Sequence, residues 1–266
     1  MTDFAATRRA FHLPSGITYL DGNSLGPMPI AAKERVGRMM ADEWSEMLIT
    51  GWNKAGWYVQ PRKVGDRIAR LIGAGPGEVV MGDTLSIKVF QAVSAALALR
   101  PGRRVILSDS GNFPSDLYVA QGLARAVGAE VRVVAPDEVA AAITDDLAVL
   151  MLTEVDYRTG RRHDMAALTA RAHAAGALTV WDLAHSAGAV DVDLAGADAD
   201  FAVGCTYKYL NGGPGAPAFI WVPQKHQARF DHPLSGWWGH ASPFAMAPAS
   251  CAAAVRADMS WRRPVR

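Results

Sequence analysis

From residue 78 onward the chain alternates short apolar runs with longer amphipathic stretches, and no other feature restricts its fold as much. The runs cover residues 79–81, 105–107, 131–134, 148–152, 178–181 and 201–203. Each is too short for a helix and is bounded by Gly, Pro, Asp or Ser, which marks it as a strand. Helical periodicity fills most of the gaps, at 87–99, 115–127 and 165–175. Strands that alternate with helices join through right-handed crossovers into a mostly parallel sheet with helices on both faces. The predicted fold class is therefore α/β, with 218–222 offering one more strand. Upstream, 30–49 and 61–72 read as helices, the second with Val64, Ile68, Leu71 and Ile72 on one stripe.

Composition narrows the function. Of 266 residues, 27 are Lys or Arg and 26 Asp or Glu, so the net charge of +1 gives no field to gather nucleic acid or an anionic membrane. Half the residues are apolar and 8 are Trp, which excludes a disordered chain. No uninterrupted apolar stretch reaches the ~18 residues of a spanning helix. The opening Met1-Thr2-Asp3-Phe4 lacks the layout of a secretory signal. Two cysteines, Cys205 and Cys251, make no disulfide framework and suit a reducing cytoplasm. With no Cys/His zinc pattern either, no metal is expected.

In open α/β sheets, ligands sit beyond the carboxyl ends of the strands. The segments there are 82–86, 108–116, 153–157, 182–185 and 206–208, and they hold hydroxyls, carboxylates, a histidine, a tyrosine and a lysine. They carry neither a Gly-x-Gly-x-x-Gly fingerprint nor a Walker lysine motif, which weighs against nicotinamide and nucleoside triphosphate ligands. Asp182 and Lys208 follow successive strands. Such a pair can be a structural ion pair. It also meets two needs of a pyridine aldehyde cofactor: an accessible, partly desolvated amine and a carboxylate for the ring nitrogen. His185 lies close behind the acid. Ser86 opens an amphipathic helix marked by Ile87, Phe90, Val93 and Leu97. A hydroxyl there caps the helix or joins free N–H groups in binding an anion, and Tyr207 can donate a further hydrogen bond.

Five motifs bring these residues into one frame: Tyr19-Leu20-Asp21-Gly22-Asn23-Ser24-Leu25-Gly26, Asn112-Phe113-Pro114-Ser115-Asp116, Trp181-Asp182-Leu183-Ala184-His185, Thr206-Tyr207-Lys208-Tyr209-Leu210-Asn211-Gly212-Gly213-Pro214-Gly215 and Gly236-Trp237-Trp238-Gly239-His240. In this order they resemble the kynureninases, pyridoxal 5′-phosphate enzymes of the aspartate aminotransferase fold type, over about residues 19–246. The resemblance implies that Lys208 bonds the cofactor aldehyde and shuttles protons at Cα, and that Asp182 pairs with the ring nitrogen. It implies that Phe113 stacks on the ring while Asp116, Thr153 and His185 line the cofactor. Leu85 and Ser86 would hold the phosphate with Tyr207, itself a candidate proton donor. Trp57 would touch the aromatic substrate, and Trp237 would reach the cofactor phosphate of the partner in a homodimer with shared sites. The implied reaction is hydrolysis of L-kynurenine, or its 3-hydroxy form, to anthranilate or 3-hydroxyanthranilate and L-alanine, in tryptophan catabolism.

Three segments are expected: an N-terminal stretch 1–50, a cofactor-binding large domain 51–246, and an atypical tail 247–266 whose Ala/Arg/Pro composition resembles an out-of-frame reading. In the family the chain continues past this point into a small C-terminal domain that supplies a carboxylate-binding arginine; here that domain is expected to be missing. Two other readings stand beside the hydrolase. One is a cofactor-binding remnant without turnover. The other is a related class V enzyme such as a cysteine desulfurase, which needs a mobile cysteine that neither Cys205 in its strand nor Cys251 in the tail supplies. His163, His173, His226 and His232 read as solvated, and Trp44, Trp52, Trp57 and Trp181 as core or interface.

Overall fold

The computed structural model describes residues 3–240 and 242–246, with Trp238 as backbone only; the tail 247–266, Cys251 included, lies outside the described residues. The first elements are helix α1 (Phe4–Arg9), strands β1 (Phe11–His12) and β2 (Met28–Pro29) paired as a small antiparallel ribbon, and helix α2 (Ile30–Arg38). The rod expected over 30–49 is broken. A π-helical turn takes Met39–Trp44, and the short helices α3 (Ser45–Met47) and α4 (Gly51–Lys54) follow. Helix α5 (Gln60–Ala69) carries Pro61 in its first turn, where a missing N–H costs nothing. It ends before Leu71, which is half exposed and leaves the predicted stripe, whereas Ile68 and Ile72 are buried.

The main sheet holds β3 (Val79–Met81), β4 (Val105–Asp109), β5 (Glu130–Val134), β6 (Leu147–Thr153), β7 (Leu178–Asp182), β8 (Phe201–Gly204) and β9 (Phe219–Trp221). Their spatial order is β3-β9-β8-β7-β6-β4-β5. The run from β8 to β5 is parallel, and β9 enters antiparallel between β3 and β8. Helices α6 (Leu85–Ala98) and α7 (Pro114–Val127) pack on one face, and α5, α8 (Val139–Ala142) and α9 (Met165–Ala174) on the other. A strand covered on both sides must be apolar throughout, and β6 shows it: Leu150 and Leu152 enter one core, Val149 and Met151 the other. Each such side chain contributes about 1.5–3 kcal/mol by burial. Trp181 is fully buried and donates Nε1–H to Thr169, as a core residue, whereas Trp44 is largely exposed and is not part of this chain's core. Among the described residues no helix is long and apolar enough to cross a membrane.

The structure corrects the reading of the histidines. His163 Nε2 lies 2.7 Å from Asp109 Oδ2. His173 and His226 converge on Asp200, at 2.7 and 2.8 Å. Asp109 and Asp200 are both only 2% exposed, and carboxylates taken out of water must be paired. The histidines are those partners, so three of the four are structural rather than solvated.

Candidate active site

The carboxyl ends of β7 and β8, the starts of α6 and α7 and the segment before β9 surround a cavity of about 370 Å³. Leu85, Ser86, Phe113, Asp182, His185, Tyr207 and Lys208 all line it. Asp182 is the last residue of β7, and register places Thr153 beside it on β6. The Thr153 hydroxyl donates to Asp182 Oδ2 at 3.0 Å, and the Ala184 N–H donates to Oδ1 at 2.9 Å. Asp116, in the first turn of α7, is 1% exposed, and its Oδ2 has no hydrogen-bond partner. Burial first, and the neighbouring Asp182 second, hold the Asp116 carboxyl well above the usual carboxylate range, so it stays protonated. Burial also raises Asp182, but its two donors and the Lys208 charge oppose this; of the two acids, Asp182 carries the charge.

Lys208 follows β8 and is 7% exposed. Its Nζ lies 2.5 Å from His185 Nε2 and 5.5 Å from the centre of the Phe113 ring. Burial and the lysine charge push His185 down to about 4, so its imidazole is neutral and accepts from the amine. Burial pushes the Tyr207 phenol up to about 12, which keeps it a proton donor. Tyr157, at the strand-end position after β6, was not assigned a role from sequence. Its ring stacks on His185 with centroids 6.0 Å apart and meets Phe113 edge-on at 5.0 Å, holding both in place.

The phosphate end differs in one detail from the sequence reading. Thr84, not Ser86, caps α6: its hydroxyl accepts from the Ile87 N–H. Ser86 therefore lies inside the first turn, leaving its hydroxyl available to a ligand. The Leu85 and Ser86 N–H groups belong to the helix start, where no intrahelical partner exists.

Trp57 does not line this cavity. It stands in a neighbouring apolar depression with Met39, Trp44, Pro61 and Met81, its Nε1–H donating to Glu43 at 2.8 Å. The two spaces adjoin, because Gly82 and Pro217 of the second directly precede Asp83 and Ala218 of the first. Trp237 also lies outside; it donates to the Pro243 carbonyl and packs against Trp52 and Phe244. Cys205 is buried, and burial pushes its thiol up to about 11, the opposite of a nucleophilic cysteine. Among the described residues no cluster of three His, Cys, Asp or Glu is placed to hold a metal ion.

The N-terminal motif buttresses the lysine loop. The Tyr19 hydroxyl donates to the Leu25 carbonyl at 2.7 Å, and the Gly26 N–H donates to the Tyr207 carbonyl at 2.8 Å. A Cβ on Gly26 would collide with the Lys208 carbonyl and the Asn211 side chain. Gly26→Ala is expected to cost about 1–3 kcal/mol of stability in denaturant unfolding, the usual scale of overpacking. A neutral result would show that this contact is loose.

An amine, a buried anion, an aromatic face and a helix start thus share one cavity, a donor set suited to an aromatic aldehyde that carries an anionic group. Kynureninases of Burkholderia pseudomallei (strain 1106a) and Deinococcus radiodurans are each 56% identical over 92% of this chain. The chain spans 61% of the length of those relatives. Cysteine desulfurases from Thermococcus onnurineus and Escherichia coli superpose with a TM-score of 0.72, covering 88% and 90% of this chain and 60% and 61% of theirs; at 21% identity they show a shared fold alone. The model of the class-V aminotransferases matches residues 57–237, more than half of the sequence, and the chain belongs to that family.

Proposed function

We propose that this chain is the cofactor-binding part of a kynureninase, hydrolysing L-kynurenine or its 3-hydroxy form to the corresponding anthranilate and L-alanine with pyridoxal 5′-phosphate. The observation that carries the reading is Lys208 and Asp182 on one cavity at the ends of adjacent strands. The residues fit the cofactor. Asp182 is a buried anion beside an acid with an unpartnered oxygen, a setting that calls for a cationic ring nitrogen. When bound, pyridoxal phosphate supplies an electron sink for charge left at the substrate's Cα and Cβ.

The chain's own groups divide the remaining work. Thr153 and the Ala184 N–H hold Asp182 in its charged form, and protonated Asp116 adds no competing charge. His185, neutral, orients the Lys208 amine, which would hold the cofactor's aldehyde and would be the group to move the Cα proton. Phe113 offers its ring face, braced by Tyr157. Leu85, Ser86 and Tyr207 hold the phosphate at the α6 start, and Tyr207, protonated throughout the neutral range, is also placed to donate to substrate.

The same reading makes the protein a homodimer in which Trp237 serves the partner's site. The exposure of Leu20, Met40, Trp44, Leu48 and Ile49 and the position of Trp237 outside its own cavity support this. Trp57, beside the cavity, is assigned to the substrate's aryl group. A cytoplasmic setting goes with it, supported by the free Cys205 thiol.

Purified protein mixed with pyridoxal phosphate is expected to turn yellow, and to release fluorescent anthranilate on addition of L-kynurenine. Lys208→Ala is expected to lose both signals. An unchanged visible spectrum in that variant would refute the lysine assignment. A wild-type band without anthranilate would point instead to a binding remnant or to another class V enzyme such as a cysteine desulfurase.

A further inference from the structure

We propose that Lys88, buried behind the half-exposed carboxylate of Asp83, cancels that charge and so keeps the cavity receptive to a phosphate-bearing aldehyde. The inference rests on the functional reading above and concerns two residues that the reading leaves without a role. Lys88 lies one turn into α6 and is only 5% exposed, a placement lysine almost never takes unless paired. Its Nζ donates to Asp83 Oδ2 at 2.9 Å and to Gln91 Oε1 at 3.0 Å.

Asp83 lines the same cavity as Thr84, Leu85 and Ser86, and its side chain is half exposed. Its backbone is fixed. The Gly82 N–H donates to the Ala218 carbonyl, the Ala218 N–H donates to the Asp83 carbonyl, and Asp83 itself adopts a φ of +55°, a left-handed conformation that costs a non-glycine residue energy. A carboxylate is thus held in the wall at the end where helix N–H groups invite an anion. Alone, it would repel a dianionic phosphate. Lys88 cancels that charge from the buried side. His232 does not replace it, because burial, and then the Lys88 charge, hold that imidazole below its usual range.

The pair acts on charge alone, so its signature is a difference between two ligands. Wild type, Lys88→Met, Asp83→Asn and the double variant are titrated with pyridoxal 5′-phosphate and with pyridoxal, following the visible band, and with inorganic phosphate as competitor. Lys88→Met is expected to weaken binding of the phosphate-bearing aldehyde by about tenfold, the scale of one uncompensated charge nearby, and to leave pyridoxal unchanged. Asp83→Asn, which keeps an oxygen acceptor for the Lys88 amine beside Gln91, is expected to tighten the phosphorylated ligand about threefold. The double variant returns close to wild type, and inorganic phosphate competes less well against Lys88→Met. Equal weakening for both aldehydes, or no change for either, would overturn the inference while the functional reading stands. A wild type that shows no band with either aldehyde overturns both.

Discussion

Replacing Asp182 by asparagine is expected to lower anthranilate formation by about 10³-fold, the scale set by removing one preorganised charged or hydrogen-bonding group from an enclosed site, and to raise the melting temperature of the protein without cofactor. The two effects share a cause. Asp182 is 3% exposed and lies beside Asp116, and burial holds both carboxyls above their usual range. A carboxyl whose folded pKa is raised favours folding only while protonated. At neutral pH the ionised Asp182 therefore opposes folding, and asparagine removes that penalty at almost constant shape. Under the proposed function the same charge would pair with a cationic ring nitrogen, so stability and that role pull in opposite directions at this residue. Steady-state fluorescence measures the first effect and calorimetry of the cofactor-free protein the second. Full activity in Asp182→Asn would remove Asp182 from the mechanism, and a lower melting temperature would contradict the account of the buried acids.

Asp200→Asn is expected to do the reverse: destabilise strongly and leave the chemistry of the folded fraction intact. Asp200 accepts from His173, His226 and the N–H of Thr179, with Lys225 3.5 Å away. Burial alone would raise its carboxyl, but these partners hold it well below the usual range. Breaking such a cluster costs about 3–5 kcal/mol, because the buried donors of His226 and Thr179 lose the anionic acceptor they converge on. The pH dependence follows in sign. A depressed carboxyl contributes its stability above the unfolded-state pKa and loses it as pH falls toward the folded value. The gap between wild type and Asp200→Asn should therefore be full at pH 7 and shrink below about pH 4. Denaturant titrations at both pH values test this, and a gap that does not change with pH would rule out the ionic account. Asp200 immediately precedes β8 and Thr179 lies near the start of β7, so the cluster sits at the amino ends of strands whose carboxyl ends form the cavity.

What local sequence can show differs among these features. Strands β4, β6, β7 and β8 are buried throughout, and their mainly apolar runs mark them directly. Asp182 and Lys208 could be found because a residue just after such a run must stand at the ligand-binding edge. The roles of His163, His173 and His226 had no such mark: their acids lie 54, 27 and 26 residues away, and only the folded sheet brings them together. Thr84 and Ser86 are both hydroxyl residues at one helix start, and only the hydrogen bond to Ile87 separates the cap from the free group. The antiparallel entry of β9 between β3 and β8 is likewise a matter of topology, since a three-residue strand reads the same in either direction.

That topology bears on how the protein is made. Strand β3 leads straight into α6, yet it stands at the sheet border with β9 as its neighbour, the last of the seven strands to be translated. While the nascent chain is still short of Trp221, the β4–β8 portion can already assemble and α6 can pack on it, but β3 has no ladder to join. The cavity, lined by residues 83–86 before β4 and by 214–216 and 218 before β9, is thus framed only once β9 has emerged and paired with both β3 and β8.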